Sequence, residues 1–468
     1  MYRKVEDEEI DTFGIQNQNT TIISKSGIEK QFPGSEDQNC SLMMNPKVKF
    51  FLKVMVPLAI AANLAIFIIS TIGYVANLVG NGKISVVTIH DKIFNSLDLW
   101  GTATDMWDAG VYLLALSLMF TAGILPYINI LIQVICWVLP YKTEKLYIVR
   151  ERLLVTITIL SKWVALNAYF VLLTALAVGV NMELKINLFI KGNLLIQMEI
   201  LPKYALASLA ASLQVFISQW ILYIHRSTIE VKNNVEEADK QKNKIGEKSI
   251  ASKIIIPIFV VIGFACFLIG IILKSIEFTV GGFAGDKMTN LDEKVHNYSA
   301  FEIGSKSKET VLNADFNYVI VQITYFIQAI FIPMLFFVAQ ICLYVFPMTL
   351  KMQKFLFNLS EIFFVSGTAD VFLFALIGAY SQMGQFIQFM IGPGCDQLGI
   401  QNCFAIDIAL EMQGTIPLII GVVLMYLVGF YNILVTQPRI ENQEEELGKI
   451  YAIKRHGLYE YLNDEKSE

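Results

Sequence analysis

Eight stretches of this chain are each apolar over about the 20 residues that a helix needs to cross the hydrocarbon core of a bilayer, near 50–79, 108–139, 154–180, 202–225, 253–276, 317–346, 360–387 and 413–435. Hydrocarbon offers backbone amides no water, so such runs must satisfy their own hydrogen bonds as helices. The expected fold is therefore all-α, a polytopic membrane protein with eight transmembrane helices. Composition agrees: 16% of residues are charged and 55% hydrophobic, against about 25% charged in soluble domains.

Basic residues set the expected orientation. Lys47, Lys49 and Lys53 precede the first run, Lys142, Lys145, Arg150 and Arg152 follow the second, and Lys351 and Lys354 follow the sixth. Together with a basic linker they mark one side, which the positive-inside rule makes cytoplasmic. The chain then divides into a disordered cytoplasmic tail (1–48), a four-helix module (49–225), a cytoplasmic linker (226–252), a second four-helix module (253–435) and a cytoplasmic C-terminal tail (436–468). Both termini are cytoplasmic, in a plasma membrane, endomembrane or bacterial inner membrane. The polar, acidic start lacks the apolar core of a signal peptide.

A net charge of -5 gives no basic field, which argues against nucleic acid as a partner. Six cysteines without a CxxC pair and four scattered histidines give no metal-ligand spacing, so no metal or other cofactor is expected. Cys395 and Cys403 share one outer loop: an oxidising compartment would join them, and a reducing one would leave two thiols. Asn297-Tyr298-Ser299, on the same side, is a glycosylation sequon.

The second half re-reads the first. Lys53 and Pro57 open the first run as Lys253 and Pro257 open the fifth; Pro126, Gln133, Trp137 and Pro140 return at identical spacing as Pro333, Gln340, Tyr344 and Pro347. Each first proline should kink a long helix. Four spans per unit keep both units in one orientation, which predicts a parallel tandem repeat.

Ser161-Lys162-Trp163 with Asn167 in the first half, and Thr368-Ala369-Asp370-Val371-Phe372 in the second, resemble the signature Lys-Trp-Ser-Met-x-Asp-Val-Phe of the paraquat-inducible protein A family. Asn167 stands where the first copy would carry aspartate. The zinc ribbons of bacterial members are missing. The resemblance implies a membrane protein that handles lipids, supports membrane integrity under stress and works with a separate mammalian-cell-entry-domain partner.

Asp370 lies inside an apolar run, where a carboxylate faces a cavity or a partner. It is a candidate headgroup contact or proton-titrating group, or a structural acceptor between helices. Lys162 would bind a phosphate or pair with a carboxylate of the other half; alternatively it snorkels to the interface, with Trp163 anchored there. Thr368 and Asn167 complete this set. Gln133, Gln340, Pro126 and Pro333 are candidates for polar lining and helix kinks, although interhelical hydrogen bonding accounts equally for the glutamines. No catalytic constellation is legible, so binding or transport of membrane lipids is expected rather than catalysis. A tetraspanin-like or claudin-like scaffold organising partners through its outer loops is the competing expectation.

Overall fold

One face of the first helix, α1 (Phe50–Thr71), is buried: Val56, Ile60, Asn63, Phe67 and Ser70 form one stripe, at spacings of three and four residues. Leu58 and Ile69 on other faces are more than half exposed, as a lipid-facing surface requires. The computed structural model describes residues 41–84, 87–140, 144–187, 190–227, 254–282, 285, 294–312, 316–397, 405–436 and 439–440. The fold begins ahead of α1, because Leu42 and Val48, inside the expected tail, are buried against the first-half core. Residues 1–40 and 228–253 and the C-terminal tail from 441 lie outside the described residues.

After α1 come strands β1 (Tyr74–Ile84) and β2 (Val87–Asp98), a short helix α2 (Leu99–Asp108), and a long pass of α3 (Tyr112–Leu118), a π-helical turn (Met119–Ile124) and α4 (Leu125–Val138). The third pass is α5 (Glu144–Ser161), a 3-10 turn (Lys162–Ala165) and α6 (Leu166–Val178). Strands β3 (Val180–Asn187) and β4 (Ile190–Ile200) and helix α7 (Pro202–Ser227) complete the first half.

The second half follows a similar order, with three described strands where the first has four. Helix α8 (Ile256–Ile272), strands β5 (Lys274–Gly281) and β6 (Val295–Ser299) and a short helix α9 (Ala300–Thr310) come first. A long pass joins α10 (Phe316–Tyr325), a π-turn (Phe326–Phe331) and α11 (Ile332–Val345). The next pass is α12 (Leu350–Ser366), α13 (Ala369–Gly378), a π-turn (Ala379–Met383) and α14 (Gly384–Gln397). Strand β7 (Ala405–Leu410) and helix α15 (Met412–Tyr431) close the half.

Among the described residues seven helical segments are long and apolar enough to cross a membrane, as in a multi-pass, predominantly helical membrane protein. The fifth run differs from expectation: α8 has 17 residues, about 25 Å at 1.5 Å per residue, because the chain turns into β5 at Lys274. The first run likewise stops at Thr71, where Gly73 (φ 85°) allows the turn into β1.

The described connections at one end of the molecule form sheets. In the first half β2-β1-β4-β3 form one antiparallel sheet, and in the second β6-β5-β7 form another. Each sheet thereby joins two loops that are distant in sequence. From Ile276 on, Ile276, Phe278 and Val280 are buried and alternate with the more exposed Glu277, Thr279 and Gly281, the period-two pattern of a half-buried strand. Asn297 is exposed on the edge strand β6, and Ser299 of its sequon caps α9 in a capping box with Glu302. Burial would raise the Glu302 carboxyl, but Lys274, the Ser299 amide and Lys306 outweigh it and hold the group at about 2.

Candidate functional site

The two kinking prolines build the site. A proline has no N–H, and its ring crowds the carbonyl four residues back. Both long passes answer with a wider turn: the residue before the proline bonds five residues back, Leu125 to Phe120 O and Ile332 to Ile327 O. The two π-turns lie 207 residues apart at both ends.

In the second half Gln328 O, five residues before Pro333 and so without a helical donor from it, accepts the Thr368 N–H at 2.9 Å. Thr368 is where the next pass breaks, after Gly367, and it is the N-cap of α13. A Cβ on Gly367 would stand 3.2 Å from Pro333 Cγ, so glycine lets the break approach the kink. The first half has no counterpart of the Thr368 bond among the described residues. Its third pass instead tightens into the 3-10 turn that carries Lys162.

These two irregular points face each other. Lys162 Nζ lies 2.9 Å from Asp370 Oδ2 and 2.9 Å from the Tyr426 hydroxyl, and that hydroxyl donates to the same carboxylate oxygen. Lys162 is 1% exposed and Asp370 9%. Phe364 and Tyr426 present their rings to the ammonium at 5.7 and 4.9 Å, which adds cation–π attraction in a dry setting. At about 1.5 Å per residue Lys162 stands roughly 20 Å into the span that begins at Val149. Asp370 also sits in the first turn of α13, where the helix dipole favours a carboxylate.

Lys162 is buried against a carboxylate of the other half and does not extend to the surface. Trp163 is half-buried with its ring edge-on to Phe374 at 5.5 Å, packed inside the molecule. The second carboxylate oxygen, Asp370 Oδ1, and the nearby Ser366 Oγ are buried without hydrogen bonds among the described residues. An internally neutral pair with a free acceptor oxygen is poorly matched to a phosphate.

Thr368 bonds through its hydroxyl to Tyr169, whose ring meets Tyr325 and Phe372 edge-on. Gln328 Nε2 reaches Ser212 Oγ at 2.8 Å. Toward the end of the molecule opposite the sheets, Arg226 joins Glu151 at 3.1 Å and Glu361 at 2.7 Å, tying α5, α7 and α12 together. Sequence reasoning missed Tyr426, which no local signal distinguishes, and counted Arg226 only as a marker of orientation.

Asn167 does not join the ion pair. It lines a crevice of about 520 Å³, mouth included, with Ala165, Ala168, Tyr204, Ala211 and Thr324 among the other lining residues. Gln133 donates to Ser218 Oγ at 2.7 Å, whereas Gln340, equally buried, makes no hydrogen bond among the described residues. Pro126 accepts from Gln214 through its carbonyl at 2.8 Å. Cys403 and the side chain of Cys395 lie outside the described residues, as does their pairing; Cys136, Cys266 and Cys342 are free thiols.

Fold and site together define a multi-pass helical membrane protein with a buried, charged seam. No protein-family model, curated protein or solved structure matches the chain.

Proposed function

We propose that this protein binds or moves lipids or other amphiphiles within the membrane, as two tandem four-span modules in parallel orientation with both termini cytoplasmic. The observation that carries this reading is the Lys162–Asp370–Tyr426 cluster, where broken helices of both halves meet deep in the apolar layer. Ion pairs at that depth are costly and accompany transport paths, and transporters of known architecture place substrates at discontinuous helices between repeats. The duplication is supported by the matching element order and by the π-turns at one offset; α8 then counts as the eighth span. Lys47, Lys49, Lys53, Arg150, Arg152, Lys351 and Lys354 all fall at the end away from the sheets, which supports the cytoplasmic assignment.

The resemblance to the paraquat-inducible protein A family belongs to this proposal, with a separate mammalian-cell-entry-domain protein as partner and a role in membrane integrity under stress. The activity is binding and transport, not catalysis. Lipid mass spectrometry on the purified protein tests it. An enriched lipid class relative to a control membrane protein is expected, reduced by Tyr426→Phe with the folded yield unchanged; no enrichment overturns the reading.

A second reading is favoured by one observation. Each half joins its two outer loops into a single sheet, a rigid outward platform suited to a claudin-like scaffold. Crosslinking from the sheets to protein partners, with indifference to Tyr426→Phe, would favour it.

A further inference from the structure

Asn63, Asn129, Gln133 and Gln214 are each 0% exposed inside the first half. Both amide atoms of Asn63 and of Asn129, and the Oε1 atoms of Gln133 and Gln214, have no hydrogen-bond partner among the described residues. The four side chains belong to one level of the bundle. Gln214 donates to Pro126 O, Gln133 donates to Ser218 Oγ and more weakly to Gln214 O, and Asn129 lies between Pro126 and Gln133 on the buried face of α4. Lys203 Nζ bonds Ile72 O and so fixes the antiparallel register of α1 and α7. At about 1.5 Å per residue, Asn63 lies about 14 Å and Gln214 about 17 Å inward from that bond, nearly level.

Each orphaned buried polar atom costs about 1–3 kcal/mol unless something satisfies it. The chemistry of the set identifies what does. Unpaired acceptors and unpaired donors occur together, so an amphiprotic ligand can serve both, whereas a cation would serve the oxygens and leave the amide hydrogens unmet. The crevice supplies the entry: Thr71, Val75 and Leu99 lie at its sheet-side end, Phe67 and Ala211 deeper along the same two helices. Asn63 and Gln214 lie one helical turn further in on those helices.

We infer that the first half holds a water-filled vestibule, running from the sheet side through this crevice to the four carboxamides. From there the hydrogen-bonded series continues from Gln133 to Ser218 and on to Ser161, beside Lys162. In the second half Gln340 is the one fully buried, wholly unpaired carboxamide among the described residues. The inference does not depend on which molecule the protein carries.

Hydroxyl-radical footprinting of the intact protein in nanodiscs tests it, because radicals made from bound water oxidise adjacent side chains. Cys136 and Trp137, buried on the same stripe of α4, should be oxidised several-fold faster than Met425 and Phe336, equally buried in the second half. The double variant Asn63→Leu/Asn129→Leu, checked for a monodisperse fold, should bring the two sites down to the rate of those controls. Equal slow oxidation of all four residues in the unsubstituted protein overturns the vestibule, as does fast oxidation that survives the double variant. A thermal midpoint that rises in sodium over choline chloride, and loses that rise in the double variant, would make this a cation site and overturn the assignment to water.

Discussion

Seven residues beyond the kinking proline, the first half carries Gln133 and the second carries Gln340. Gln133 is tied to α7 through Ser218 and lies among three other carboxamides. Gln340 is as deeply buried and bonds to nothing described. The helix pairs behind them differ accordingly. In the second half α8 and α15 approach through glycine: a Cβ on Gly270 would stand 2.6 Å from Leu418 N, and one on Gly421 2.9 Å from Phe267 Cα. In the first half α1 and α7 face each other across Asn63, Ser208 and Gln214. Glycine thus lets α8 and α15 meet backbone to backbone, whereas α1 and α7 bury polar side chains that bond to α4, to their own helix or to nothing described.

The seam between halves carries the largest expected effects. Lys162→Met or Asp370→Leu leaves its partner charged, buried and unpaired, at a cost of about 3–5 kcal/mol, to be measured as loss of folded protein in detergent unfolding. Gly270→Ala should cost about 1–3 kcal/mol by forcing α8 from α15. Serine or alanine at Ser208 should be equivalent within error, since that hydroxyl only returns to Tyr204 O. Gln133→Leu should destabilise by about 1–3 kcal/mol because Ser218 and its neighbours lose a buried partner. Gln340→Leu should be neutral or stabilising; equal losses at the two sites would erase the contrast between halves.

A more local effect concerns the second sheet. Glu302 has its carboxyl held down to about 2 in the folded protein. A group depressed in the folded state stabilises it above its unfolded pKa, and that contribution fades as pH falls toward the folded value. Hydrogen-exchange protection factors of β5, β6 and α9 should therefore fall as pH drops from about 4.5 to 2, and Glu302→Gln should remove this acid step.

The helical passes were legible because lipid solvent leaves one backbone solution, and the prolines because their chemistry acts locally. The sheets were not read, although Ile276, Phe278 and Val280 alternate with Glu277 and Thr279. Hydropathy averaged over a window merges such a strand with the apolar helix before it. Pairing of β1 with β4 joins residues more than a hundred positions apart, which no local pattern encodes. At the site, Lys162 and Asp370 were each singled out, and a pairing of Lys162 with some carboxylate of the other half was one of the readings left open. Tyr426 sits in an apolar helix as an ordinary aromatic, and only the fold brings its hydroxyl between the two charges.

A double-mutant cycle on Lys162 and Asp370 tests the central claim most directly. If the two halves are joined by this buried pair, Lys162→Met/Asp370→Leu together should recover most of the stability that either change alone removes. Additive losses would mean that the two side chains do not interact, and the seam described above would not be what holds the halves together.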